Sequence, residues 1–267
     1  MSRKMKDKRR YHRGRRHKKS MIDHVMNLLL VVALIVFAVA AIQLIRIGKG
    51  YLDGRSEYKK VMDLAIENPT DGDKFRVDFD KLEEINEDTI GWIRFYPEPE
   101  IISYPLVQGV DNEQYLHQTF SANENTLGAI FMDVNNRADF SDENTIIYGH
   151  RMKDGSMFRK LTEYESKEFL EENPYFYIYT IDGRELTYRI YSVGQVEATS
   201  DTYQISFEND EAYENYLSMT AKVSLYDTGV ELKKGDKIVT LSTCTAASDE
   251  HRFVVRGVLE KEVKLED

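Results

Sequence analysis

Between Val25 and Ile45 every residue is apolar except Asn27 and Gln43. A run of 21 such residues is too apolar to leave in water, and it matches the roughly 20 that a helix needs to cross the hydrocarbon core of a bilayer. A cleaved signal peptide has a shorter apolar centre and a small-residue cleavage site, whereas this run is long and ends at Arg46. The reading is a transmembrane helix over 25–45, and the rest of the chain must fold on one side of it or the other. The flanks choose the sides. Among the first 20 residues 11 are Lys or Arg and one is acidic, which leaves 25 basic and 45 acidic residues beyond them. A basic tail alone would suit a nucleic-acid-binding arm. Dense Lys/Arg before a span and few after it instead place the N-terminus in the cytoplasm. The chain is expected to pass once through the cell membrane, with its body extracellular and no nucleic-acid partner.

That topology sharpens the single cysteine, Cys244. Cysteines outside a cell usually pair, and this one has no partner in its own chain. Such a thiol is an intermolecular bridge, a buried inert residue or a reactive group. Its neighbourhood reads as a strand. In Lys237-Ile-Val-Thr-Leu-Ser-Thr-Cys244, Val239, Leu241 and Thr243 alternate with Thr240, Ser242 and Cys244, the two-residue period that sends one set to a core. The alternation stops at the thiol and a polar loop runs to His251. A second alternating run starts at Arg252, with Phe253, Val255 and Leu259 on one face and Arg252, Val254 and Arg256 on the other. Together the runs predict a hairpin that brings Arg252 beside the thiol, away from the core. Arg256 is expected to meet solvent or a surface carboxylate.

Elsewhere the body reads as short strands with brief helices between them. Gly48-Lys-Gly50 and Asp53-Gly54 suggest a linker after the membrane. Ser56 to Asn68 carries a helical stripe of Tyr58, Val61, Met62 and Ala65 and stops before Pro69. Phe79 to Asn86 is a second short helix, with Asp80 as its N-cap and Glu83 three residues on. From Ile90 onward, Gly91 to Phe95, Ile101 to Gln108, Gly128 to Asp133 and Asn144 to His150 have the β-branched and aromatic bias of strands. Asp182-Gly183 between Tyr175–Thr180 and Glu185–Val193 is a strong hairpin signal. Ser166 to Asn173 and Glu208 to Met219 read as helices. The pattern predicts a closed or nearly closed antiparallel barrel.

A thiol nucleophile acts as thiolate and needs a base or a cation beside it. The extracellular body holds His117, His150 and His251. His117 lies in a surface-like turn. His251 adjoins Arg252 within the polar loop, and His150 ends a hydrophobic strand after Tyr148-Gly149, so the residues alone leave both open. One cysteine and scattered histidines give no zinc spacing, and the carboxylates form no EF-hand loop. No glycine-rich loop opens a helix, so a nucleotide site is not expected. The chain should require no metal and no cofactor.

Thr240-Leu-Ser-Thr-Cys244 followed by Arg252-Phe-Val-Val resembles the active-site signature of sortases, and Tyr148-Gly-His150 resembles their histidine motif. Trp92-Ile93, Tyr104-Pro-Leu-Val-Gln108, Asp111-Asn112, Tyr115-Leu116 and Gly128-Ala-Ile-Phe-Met-Asp133 are similar to class B members in particular. The resemblance implies a mainly β fold, a closed eight-stranded barrel with short peripheral helices, here preceded by one transmembrane helix. With the charge and hydropathy pattern, the expected division is a cytoplasmic basic tail (1–24), the span (25–45), a linker and membrane-proximal helix (46–77) and an extracellular catalytic domain (78–267). The resemblance also implies a cysteine transpeptidase that cleaves an Asn-Pro-x-Thr-x type sorting signal near the C-terminus of a secreted surface protein. The acyl group then passes to an amine of a peptidoglycan precursor or a pilin. On the matching positions Cys244 is the nucleophile, His150 the acid/base, Arg252 the holder of substrate or oxyanion, and Tyr148 and Ser242 line the substrate groove. Arg151 departs from the pattern, since many relatives carry Asn after the histidine. Two other readings compete: an extracellular cysteine peptidase that ends in hydrolysis, and an anchored binding module with an incidental thiol.

Overall fold

The computed structural model describes residues 21–67, 75–245 and 250–265. Most of the basic tail, the expected helix end at Asn68 and Pro69, and 246–249 of the polar loop lie outside the described residues. The chain separates into two compact units, one ending at Lys49 and the other beginning at Gly50.

Helix α1 (Met21–Ala65), which begins in the first unit, is long and apolar enough to cross a membrane. Leu28, Val32, Phe37, Ile42 and most other side chains of its apolar stretch are exposed. The expected linker is instead helical, because α1 runs through Gly48, Gly50 and Gly54 without a break. Each helical glycine costs only about 1 kcal/mol against alanine, and no proline intervenes.

The second unit opens with the remainder of α1. Tyr58, Val61 and Ala65 are buried and Met62 packs on the same core, the stripe that helical spacing requires. Ile66–Glu67 then pairs with Arg76–Val77 as a two-residue ladder, so the helix stops short of Asn68. Helix α2 (Phe79–Ile85) is capped by Asp78, whose side chain accepts from the Lys81 backbone N–H, rather than by Asp80.

Eight strands follow: β1 (Thr89–Phe95), β2 (Ser103–Val107), β3 (Ile130–Met132), β4 (Asn144–Tyr148), β5 (Tyr175–Thr180), β6 (Arg184–Glu197), β7 (Ile238–Cys244) and β8 (His251–Lys264). They close into a barrel in the order β8-β6-β5-β1-β2-β3-β4-β7. The barrel is mixed rather than antiparallel, since β2 with β3 and β4 with β7 are parallel pairs. Parallel neighbours need crossover connections, and the long segments between β2 and β3 and between β6 and β7 supply extra helices. These are α3 (Gln114–His117) and α5 (Asp210–Lys222), with α4 (Lys167–Glu172) preceding β5.

The interior is filled by alternate side chains. Val239 and Leu241 of β7 join Phe253 and Val255 of β8, Trp92 and Ile147 in one core. Each is worth about 1.5–3 kcal/mol when fully buried. The other face of the β7–β8 hairpin is covered at one end only. There Ile238 and Val258 pack with Tyr213, Tyr216 and Leu217 of α5 in a second cluster. Among the described residues, the end carrying Cys244 is only partly covered.

Candidate active site

Cys244 is the last residue of β7, and each neighbouring strand brings it one functional side chain. On the antiparallel side Arg252 is its direct Cα partner, Val254 faces Ser242, and Arg256 faces Thr240. On the parallel side Tyr148 faces Ser242, and the Gly149 N–H donates to the Ser242 carbonyl at 3.1 Å. Two residues beyond Tyr148, His150 therefore flanks the thiol. A cleft of about 200 Å³ is lined by Tyr148, His150, Ser242, Cys244 and Arg252, together with Asn112 and Leu116. Cys244 is free and half-buried.

Gly149 makes the turn from β4 into this cleft possible. A Cβ there would lie 2.5 Å from Ile130 Cδ1 and 2.7 Å from Phe158 Cδ2, both in the packed core. His150 Nε2 lies 2.8 Å from the Leu116 carbonyl. A carbonyl only accepts, so Nε2 carries the hydrogen and Nδ1 is left to exchange protons.

The floor is a small polar network. Tyr148 donates to Asp133 Oδ2 at 2.9 Å, and Asn112 Nδ2 donates to the same oxygen at 2.9 Å. Burial, followed by the Asp133 carboxylate, pushes the Tyr148 phenol far above its ordinary range. Ser242 is 2% exposed, and its Oγ lies 2.9 Å from the Tyr203 hydroxyl. The Tyr203 ring stacks on Tyr148 with centroids 6.1 Å apart.

The sortase-domain family model matches residues 99–260, which contain every residue of this cleft. Sortase B of Listeria monocytogenes is 37% identical over 182 residues, covering 67% of this chain and 72% of its own length. Sortase B of Staphylococcus aureus is 31% identical over 232 residues, 85% of this chain and 91% of that protein. The crystal structure of sortase B from Bacillus anthracis superposes with a TM-score of 0.69 at 32% identity, covering 80% of this chain and all of that one. This chain is a class B sortase. It is a cysteine transpeptidase, and the closed eight-stranded barrel is the fold expected of one.

Two expectations fail inside the sortase domain. Among the described residues Arg256 meets no carboxylate, and it does not reach solvent. It is fully buried, donating to Ser192 Oγ and Thr202 Oγ1 at 3.1 Å each. It does share a face with Cys244, but α5 and the 3₁₀ turn Asp201–Tyr203 lie over that end of the hairpin. His251 belongs to β8 rather than the loop, is paired with Glu197, and is exposed outside the cleft. His117 is also exposed and lines a separate, acidic depression with Asp111, Glu113 and Glu124.

Arg151 follows His150 and is tied by a single bridge to Met157. Its Nε is buried, and no hydrogen bond or ion pair satisfies it among the described residues. Desolvation and then Arg159 draw the guanidinium below its usual range, against the opposing pull of Glu165 and Cys244. Tyr203, Asp133, Asn112 and Leu116 were not singled out as site residues by sequence reasoning. Asn112, Leu116 and Asp133 lie in segments that resemble class B members, a signal that gave them no site role, and Tyr203 lies in none of those segments. Among the described residues no group of three or more His, Cys, Asp or Glu could hold a metal ion.

Proposed function

We propose that this sortase is anchored in the cell membrane by 25–45, with 1–24 cytoplasmic, 46–77 a membrane-proximal element and 78–267 the extracellular catalytic domain. Its substrate is a secreted surface protein bearing an Asn-Pro-x-Thr-x type signal near its C-terminus, and the acceptor is an amine of a peptidoglycan precursor or a pilin. The observation that carries this reading is the shared cleft of Cys244, His150 and Arg252.

In the first half-reaction Cys244 gives its proton to His150 Nδ1, and the thiolate attacks the threonine carbonyl carbon. A C–S bond forms, the amide C–N bond breaks, and the imidazolium protonates the departing amine. The acceptor amine then attacks the thioester and loses a proton to Nδ1, while the C–S bond breaks and the sulfur leaves. Arg252, always charged and planar, faces the oxyanion in both steps. Tyr148 and Ser242 line the groove for the peptide.

The test is to incubate the full chain in lipid vesicles with a library of sorting peptides and candidate amines, reading products by mass. Peptide–amine conjugates that require Cys244 support the reading. Hydrolysed peptide alone, at every acceptor concentration, would sink the transfer step.

A further inference from the structure

We propose that Tyr58, on the first helix, is a positioning residue for His150, acting through Gly128. This rests on the role given to His150 in the proposed function.

Tyr58 is buried at 7% exposure. Its hydroxyl donates to the Gly128 carbonyl at 2.7 Å and accepts from the Phe120 N–H at 3.3 Å. The two partners lie on one looped segment. Within it Ala129 N–H donates to the Tyr115 carbonyl, Asn125 N–H to that of His117 and Gly128 N–H to that of Asn125. One phenol therefore bolts two distant points of this loop to α1.

The loop is what holds the imidazole. Leu116 presents the carbonyl that engages His150 Nε2. Gly128 presses on the same ring: its φ is +61°, and a Cβ there would lie 2.8 Å from His150 Cδ2, 2.6 Å from the Tyr115 carbonyl oxygen and 3.0 Å from that of Leu116. The backbone at Gly128 thus packs against the ring and its hydrogen-bond acceptor at once. A second route reaches the same place. The Tyr58 ring meets Tyr104 edge-on at 5.3 Å. The Tyr104 hydroxyl accepts from Met157 N–H at 3.1 Å, and the next residue, Phe158, donates its N–H to the His150 carbonyl at 3.0 Å.

Only a neutral phenol can donate and accept together, and burial keeps Tyr58 neutral by raising its pKa well above the ordinary value. Phenylalanine fits the same space but leaves a buried N–H and C=O without this partner. The loop then relaxes, the Leu116 carbonyl leaves its line with Nε2, and the ring loses its fixed tautomer.

The experiment uses the full chain, ¹⁵N-labelled at histidine, in detergent micelles. The His150 imidazole signals are assigned by their absence from His150→Ala. In Tyr58→Phe these signals should move from a single Nε2–H tautomer toward a mixture. On a sorting peptide kcat should fall roughly tenfold or more with KM within about twofold, a part of the 10²–10⁴ that general acid–base catalysis supplies. Glu57→Gln weakens the same helix–loop attachment at Ser121 N and Asn123 Nδ2 and should leave the His150 signals and kcat near wild type. Should Tyr58→Phe fold poorly, Gly128→Ala pushes on the ring from the other side and must shift the same signals. Unchanged signals in the folded variants, or an equal kcat loss in Glu57→Gln, would overturn the proposal. Shifted signals together with a fully active His150→Ala would leave the positioning intact and refute the acid/base role instead.

Discussion

Cys244 and Arg252 are direct partners across the β7–β8 ladder, at the end of the hairpin left uncovered by α5. The thiol is half-buried, and the Arg252 Nη1 donates to the His251 carbonyl at 3.2 Å. Arg252→Lys keeps the charge but loses the planar fork. We expect kcat/KM on a sorting peptide to fall by about 10²–10³, the usual consequence of losing one oxyanion donor. A loss below threefold, with circular dichroism unchanged, would remove Arg252 from the chemistry.

Arg256 calls for a different experiment. Its guanidinium anchors Thr202 by the hydroxyl while Tyr216 donates to the Thr202 carbonyl at 2.7 Å, which fixes the turn that presents Tyr203 to Ser242. Arg256→Ala should cost about 2–5 kcal/mol of stability through cavity and lost hydrogen bonds. Thermal or urea unfolding measures this. An unchanged unfolding midpoint would mean that α5 and its turn hold themselves in place.

The cleft separates the two histidines that local sequence left open. Cys244→Ala should yield no peptide adduct, and His150→Ala should lose most turnover, on the order of 10²-fold or more. His251→Ala should keep most activity, because its side chain is exposed outside the cleft. Mass spectrometry of trapped adducts and initial rates distinguish the three. Comparable losses at His150 and His251 would reverse the assignment.

Tyr148 bears on pH dependence. Burial first, and the Asp133 carboxylate second, raise its phenol far above the ordinary value. A raised tyrosine pKa means the neutral, donating form persists as pH rises, so Tyr148 contributes neither limb of the rate profile. Tyr148→Phe should lower kcat/KM while both limbs stay within about 0.3 pH units over roughly pH 5–10. An alkaline limb that disappears in this variant would show Tyr148 titrating after all.

The sequence by itself determined whatever depends on near neighbours. A stretch of 21 residues, apolar at all but Asn27 and Gln43, demands a helix long enough for a bilayer. Strict alternation through Val239 to Cys244 and Arg252 to Val255 set which side chains faced the core, because a strand's period is two whatever surrounds it. The thiol and Arg252 could therefore be placed on one side of a hairpin. Tertiary structure decided what those faces meet. Arg256 obeyed the alternation and still ended buried, since α5 and the turn at Tyr203 arrive from another part of the chain. The parallel pairing of β4 with β7, which sets His150 beside Cys244, joins strands almost a hundred residues apart and leaves no local mark. The same holds for the Leu116 carbonyl and the Tyr58 hydroxyl. Their contacts exist only after closure of the barrel has met the entropic cost of bringing distant segments together.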